Sequence, residues 1–283
     1  MKKIRIGTRG SRLALAQAEE AARAFAQKGV GSEIVTVRTR GDADMASSLS
    51  EIGRGAFTDV FSKMLESGEI DVAVHSAKDL PTGEDKDDFF CLPRADARDV
   101  LLVGKDVRSL RVGTGSPRRG AAVKKLYPSA EILPVRGNVD TRIRKMLAGE
   151  YDAVVLAAAG LIRLGILRVS GESASLCIEK KENGVFLPDE VNVRILPPET
   201  CVPAACQGII ALEGSVGALV GDALTLRAAQ IERKLQRALG GDCTGGAGAY
   251  YDGMTLFAQK DGKVMSARYE GEESIFRLAE KFR

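Results

Sequence analysis

His75, Lys78 and Asp79 stand together in IDVAVHSAKDLPT (residues 70–82), and His75 is the only histidine among 283 residues. An imidazole, an ammonium and a carboxylate this close can move a proton, hold an anion, or set a negative charge against a developing cation. The three residues by themselves leave open which of these they do. Arginines recur in short Gly-, Ser- and Thr-rich stretches: GTRGSR, RTRGD, GRGAF, GTGSPRRG and VRGNVDTR. Few aromatics interleave with them, which weakens a base-stacking role. Guanidinium forks beside exposed backbone N–H groups suit carboxylate or phosphate. Nucleotide signatures do not fit, because GTGSPR lacks the third glycine of G-x-G-x-x-G and no G-x-x-x-x-G-K-[ST] occurs.

A formal net charge of +3 is too small to imply nucleic acid. One histidine and no C-x-x-C argue against zinc, and no metal site is expected. The five cysteines are odd in number and irregularly spaced. The start MKKIRIGTRGS has no apolar segment after its positive charge, so reduced thiols and a cytoplasmic location are expected. No apolar run of the ~18 residues a membrane span needs is present. Cys243 follows a helix stop in a Gly-rich loop open enough for a bulky adduct. Cys91, Cys177, Cys201 and Cys206 lie in or near apolar stretches and read as packing residues.

The elements that must position these groups alternate strand, loop, helix. KIRIGT reads as a strand, Ser11 as the N-cap of RLALAQAEEAARAFAQK, and Gly29 as its stop. EIVTV and IDVAV read as further strands. Between them Phe57, Val60, Phe61, Met64 and Leu65 make one apolar helix face. A second unit starts near residue 95, where LRVGTGSPRRGAAVKKLYP is strand, turn and helix, with Ser116 as N-cap and Pro117 first in the helix. EILPVRGNVDTRIRKMLAGEYDAVVLAAAG repeats the arrangement, which predicts largely parallel sheets. Residues 170–191 read as a hairpin or excursion. The tail reads as a hairpin turning at Asp261-Gly262 and a closing helix. Ligands of open parallel sheets bind beyond the carboxyl ends of the strands. The arginine loops, HSAKD and the two helix N-termini should therefore line a polyanion-binding cleft between two α/β units.

In this order, IGTRGSRLALAQ, TRGD, HSAKDLPT, GTGSPRR, VRGNVDTR, YDAVVLAAAGLIRLG, LPPE, CQGIIALE and GGDC resemble the porphobilinogen deaminase (hydroxymethylbilane synthase) family over nearly the whole chain. The resemblance implies two type II periplasmic-binding-protein-like α/β domains and a small C-terminal α+β domain carrying the cofactor cysteine. On this chain they would be 1–94 with 200–216, 95–199, and 217–283. It also implies a transferase that condenses four porphobilinogen molecules head to tail, with loss of ammonia, into hydroxymethylbilane for haem, sirohaem, cobalamin or chlorophyll-type tetrapyrroles. The reaction is primed on a dipyrromethane cofactor, bound by a thioether to Cys243.

By position, Asp79 matches the catalytic aspartate, which would stabilise the azafulvene cation left by ammonia loss. His75, at the end of the apolar run, is expected to make a structural hydrogen bond. Arg9, Ser11, Arg54, Ser76, Lys78, Thr114, Ser116, Arg118, Arg119, Arg136 and Arg142 match positions that hold substrate and cofactor carboxylates. The partners implied are porphobilinogen and the growing polypyrrole chain, with no nucleic acid or membrane, and the chain is expected to be a monomer. Joints near 93–97 and 197–208 are expected hinges. The competing reading is a non-catalytic bilobal anion-binding or ligand-sensing protein, which would need the arginines but neither HSAKD nor the cysteine loop. The chain departs from the family pattern at Asp59, where many members carry lysine, and at Arg54, in place of a common lysine. The cysteine loop is GDCTGGAG rather than G-G-C-x-x-P-I-G, residues 168–190 look inserted, and the third domain looks trimmed.

Overall fold

Ser11 leaves β1 (Ile4–Arg9) in extended conformation, and its hydroxyl accepts from Ala14 N at 3.3 Å, starting α1 (Arg12–Gln27). Gln17, Ala18, Ala21 and Phe25 recur on one face of α1 and are buried. Ala18, Ala21 and Phe25 pack on Ile4, Ile6, Val72 and Val74 of the sheet beneath. Phe25 is fully buried, which stabilises the fold by roughly 1.5–3 kcal/mol. The helix ends at Gly29, whose φ of +75° a side chain would strain.

The computed structural model describes residues 3–37, 55–82, 88–104, 110–176, 191–240 and 246–283, with backbone alone at 55–59 and 176. The chain divides into two units, Met1–Ala95 with Ile209–Gln230, and Asp96–Gly208 with Ile231–Arg283.

In the first unit β1 lies between β2 (Ser32–Val37) and β3 (Val72–Ser76), parallel to both. The strand β12 (Ile210–Glu213) adds antiparallel to β3, and β4 (Phe90–Cys91) antiparallel to β12. The helix α2 (Gly55–Glu66) brings Phe61 against Ile70 and Ala73. In the second unit β6 (Arg111–Gly113) lies between β7 (Glu131–Leu133) and β8 (Ala153–Ala157), parallel to both. There β5 (Asp99–Val103) is antiparallel to β8, and β11 (Asn192–Leu196) is antiparallel to β5.

The orders β2-β1-β3-β12-β4 and β7-β6-β8-β5-β11 are one plan used twice. Each sheet has a reversed strand in fourth place. That strand is the first one the chain forms after entering from the other unit, at Asp96 for β5 and at Ile209 for β12. The parallel sheets expected from sequence are thus each interrupted once. The interruption arises because a strand entering from the other unit need not run in the direction set by the local strand–helix repeats.

Three helices complete the second α/β layer: α3 (Pro117–Leu126), α4 (Val139–Leu147) and α5 (Ala158–Arg163). A hairpin, β9 (Leu167–Ser170) against β10 (Ser173–Leu176), opens ahead of the stretch 170–191 read as a hairpin or excursion, and residues 177–190 lie outside the described residues. Then α6 (Ala223–Ala238) leads to an antiparallel sheet, β13 (Gly248–Tyr251), β14 (Thr255–Lys260) and β15 (Lys263–Arg268), closed by α7 (Glu272–Glu280). Leu235 of α6 and Leu239, just after its end, share a core with Leu256, Ile275 and Leu278. The β14–β15 turn has positive φ at Asp261 and Gly262 (49° and 77°), the conformation that Asp-Gly favours in a tight hairpin.

Candidate active site

Adjacent parallel strands end on the same edge, so the residues after β1 and after β3 are neighbours. Arg9 closes β1 and Ser11 opens α1. Ser76 closes β3, and Gln17 Nε2 donates to its hydroxyl at 2.9 Å, joining helix and strand end. The chain then makes a 3-10 turn, Ala77–Asp79. Ala77 is buried, and its N–H donates to Ile209 O at 3.0 Å. Leu80 N donates to Ala77 O at 3.2 Å and buries its side chain below. A turn held at both ends presents Lys78, half-buried, and Asp79, exposed. An exposed carboxylate on a fixed backbone can meet a cation without a large desolvation cost.

His75 points elsewhere. Its ring meets Phe61 edge-on at 5.1 Å and 88°. Its Nε2 lies 3.3 Å from Glu213 Oε2 yet is out of line for a hydrogen bond, so the structural bond expected of it is not made at that atom. Glu213 is held from its other oxygen by Ser62 Oγ at 3.2 Å.

The second unit builds a matching edge. Thr114 follows β6 and is buried, and its hydroxyl accepts from Ser116 N at 3.2 Å. Ser116 occupies the N-cap position of α3 and Pro117 the first turn, as expected, but the Ser116 side chain makes no capping bond. Arg136 is exposed beyond β7, and Arg142 on α4 donates from Nε to Gly137 O at 2.8 Å.

Arg118 and Arg119 are 4% and 8% exposed, and both reach a carboxylate of the protein, Asp99, which is 0% exposed. Arg118 Nη1 donates to Asp99 Oδ2 at 2.7 Å, to Cys201 Sγ at 3.1 Å and to Val202 O. Arg119 Nε and Nη2 donate to Asp99 Oδ1 at 3.0 and 2.7 Å. Gln207 Nε2 donates to the same oxygen at 2.9 Å and to Ala97 O at 2.7 Å. Burial by itself would raise the Asp99 carboxyl, but the two guanidiniums together hold it well below the usual carboxylate range.

Sequence reasoning had placed the arginine pair but missed Asp99 and Gln207. The available signal was one acid heading the otherwise apolar run DVLLV. Gln259 of β14 is also buried, accepting from Val202 N at 3.0 Å and donating to Arg118 O at 3.0 Å. A Cβ on Gly248 would stand 2.7 Å from Val202 O and 3.0 Å from Arg118 Cδ, so only glycine lets β13 approach this closely.

Cys91, Cys201 and Cys206 are buried. Burial pushes the Cys201 thiol up to about 12, which makes it a poor nucleophile. Arg54, Cys177 and Cys243 lie outside the described residues, as does the side chain of Asp59. Among the described residues no cluster of His, Cys, Asp and Glu could hold a metal ion, and no helix is long and apolar enough to cross a membrane.

Residues 4–218 match the sequence profile of the family described as "Porphobilinogen deaminase, dipyromethane cofactor binding domain". The chain is 38% identical over 263 residues to the porphobilinogen deaminase of Cytophaga hutchinsonii, covering 86% of this chain and 77% of that one. It is 34% identical over 293 residues to the porphobilinogen deaminase of Corynebacterium aurimucosum, covering 96% and 91%. Among solved structures it is similar to an ancestral cationic amino acid solute-binding protein, at 17% identity and a TM-score of 0.40, covering 80% of this chain and 88% of that one.

Proposed function

The chain belongs to the porphobilinogen deaminase family, and from that membership we propose that it joins four porphobilinogen molecules head to tail, releasing ammonia at each step, to give hydroxymethylbilane. The observation that carries the reading is Asp79, an exposed carboxylate on a pinned turn at the same strand edge as Arg9 and Ser11. Loss of ammonia from porphobilinogen leaves an azafulvene whose positive charge is shared by the pyrrole nitrogen. A fixed carboxylate that accepts the pyrrole N–H stabilises that cation as it forms. The same carboxylate can take the proton that the coupled ring loses and, once protonated, give it to the next departing amine. Ser76 and Lys78 on one side, and Arg9 and Ser11 on the other, bind the acetate and propionate of the ring being activated, with Arg54 as a further cation.

The family's cofactor is a dipyrromethane, and the donor set of the second unit fits it. Arg118 and Arg119 bring two guanidiniums to one protein carboxylate, Thr114 and Ser116 follow β6, and Arg136 and Arg142 follow the neighbouring β7. These residues would hold the cofactor's carboxylates, and Cys243 would carry its thioether. A Cβ on Gly246 would stand 3.1 Å from Pro117 Cβ, so the chain leaving the cysteine loop runs against the first residue of α3. When bound, the cofactor supplies the nucleophilic pyrrole carbon on which the chain is extended.

The protein acts as a monomer in the cytoplasm, its ligands being porphobilinogen and the growing chain rather than nucleic acid or membrane. The deciding experiment incubates purified protein with porphobilinogen and follows ammonia and hydroxymethylbilane, with intact mass for the adduct. Neither product, with no adduct on the protein, would sink the reading.

A further inference from the structure

We propose that Asp99 is the positioning residue of the arginine site, fixing both guanidiniums and leaving the cluster one positive charge for a ligand carboxylate to neutralise. The identity of that ligand rests on the function proposed above, whereas the charge arrangement stands on the geometry. Consecutive residues of a helix point about 100° apart, yet Arg118 and Arg119 converge on one carboxylate. That carboxylate is fixed at both levels. Its backbone heads β5, opposite Ala157 of β8 on one side and Leu196 of β11 on the other. Its Oδ1 takes three N–H groups, from Arg119 Nε, Arg119 Nη2 and Gln207 Nε2, and its Oδ2 takes Arg118 Nη1.

The charges do not balance. Asp99 is ionised, held so by the two guanidiniums against the opposing effect of burial. The Cys201 thiol beside it stays protonated and contributes no charge. Among the described residues Asp99 is the only carboxylate meeting either guanidinium. Two buried guanidiniums with no counter-charge would repel each other and lose much of their hydration, whereas full neutralisation would leave no electrostatic gain for a ligand. One carboxylate between two guanidiniums is the intermediate case: the pair is preorganised, and a ligand carboxylate completes it.

The test uses glutarate, a simple dicarboxylate, titrated calorimetrically into the full-length chain free of cofactor, as verified by intact mass. Wild type is compared with Asp99→Asn, which removes the charge, and Asp99→Glu, which keeps it but displaces it by one methylene. Asp99→Asn should bind glutarate about tenfold more tightly, the order of one added charge-assisted contact. Asp99→Glu should stay within about threefold of wild type for glutarate, yet lose about tenfold or more in kcat/KM for porphobilinogen when loaded, because the guanidiniums are displaced. A merely structural Asp99 would lower thermal stability in both variants and leave the glutarate constant unmoved. That result overturns the proposal, as does a wild type that binds no glutarate. Should Asp99→Asn fail to fold, an Asp99→Glu protein with wild-type kinetics overturns it equally. A wild type that binds glutarate but leaves porphobilinogen untouched would count against the proposed function alone, with the titrations still deciding the role of Asp99.

Discussion

Asp79 and Asp99 are both aspartates near the end of a strand, and their surroundings separate them. Asp79 is exposed on a turn held by its neighbours, Ala77 and Leu80. Asp99 is fully buried and ringed by two guanidiniums, an amide and a thiol. The first has a backbone fixed by the fold and a carboxylate left open to a ligand. The second has its carboxylate consumed by the protein, and what it offers a ligand is the arrangement of other groups. A charged residue can thus serve a site either by meeting the ligand or by setting the charge and direction of residues that meet it. Burial and partners distinguish the two cases; residue type does not.

The largest expected effect tests the premise that both aspartates serve one reaction. Cys243→Ala should remove the adduct from the intact mass and nearly all turnover. An adduct that persists in that variant, or maps to the buried Cys201 or Cys206, breaks the premise. Next, Asp79→Asn should lower turnover by on the order of 10²-fold or more in protein confirmed by mass to carry cofactor. As an exposed side chain it should change unfolding free energy by no more than about 0.5 kcal/mol. A large stability loss with normal turnover would reverse the assignment of the two aspartates.

Asp99→Asn should behave in the opposite sense towards stability, costing about 3–5 kcal/mol as one partner of a buried ion cluster is removed. Its pH dependence sharpens the contrast. The Asp99 carboxyl is depressed in the folded protein, below an unfolded value of about 3.9. Its contribution is therefore complete above the unfolded value and is lost as pH falls through the folded one. Denaturant titrations should show the wild type losing stability more steeply than Asp99→Asn as pH drops below about 4. Parallel slopes would mean that Asp99 does not titrate with folding. The smallest effect belongs to His75→Gln, which should cost about 0.5–1.5 kcal/mol through the lost Phe61 contact and lower turnover by less than about tenfold, far short of Asp79→Asn. A dead His75→Gln with full cofactor loading would move the chemistry from the acid to the histidine.

The first helix was legible to the residue: Ser11 as cap, one apolar face, Gly29 as stop. The Asp-Gly hairpin was equally plain, as were the strand ends bearing Thr114 and Asp79. The arginine pair was located, but its partner was not, because Asp99 lies 19 and 20 positions from the two arginines and 108 from Gln207. His75 read as a hydrogen-bonding residue; that its ring also packs edge-on against Phe61 was not legible, because the contact depends on how α2 lies on the sheet.

By itself, the sequence determined the local elements, their caps and turns, and which motifs sit at strand ends. Those features arise from contacts within about four residues, where helical and strand periods and capping side chains act. Only the tertiary structure decided that β5 and β12 run reversed in their sheets, and that the reversed β5 carries Asp99 beneath two arginines. Strand direction and burial at those places depend on where a strand arriving from the other unit pairs, and no local period encodes a partner about a hundred residues away.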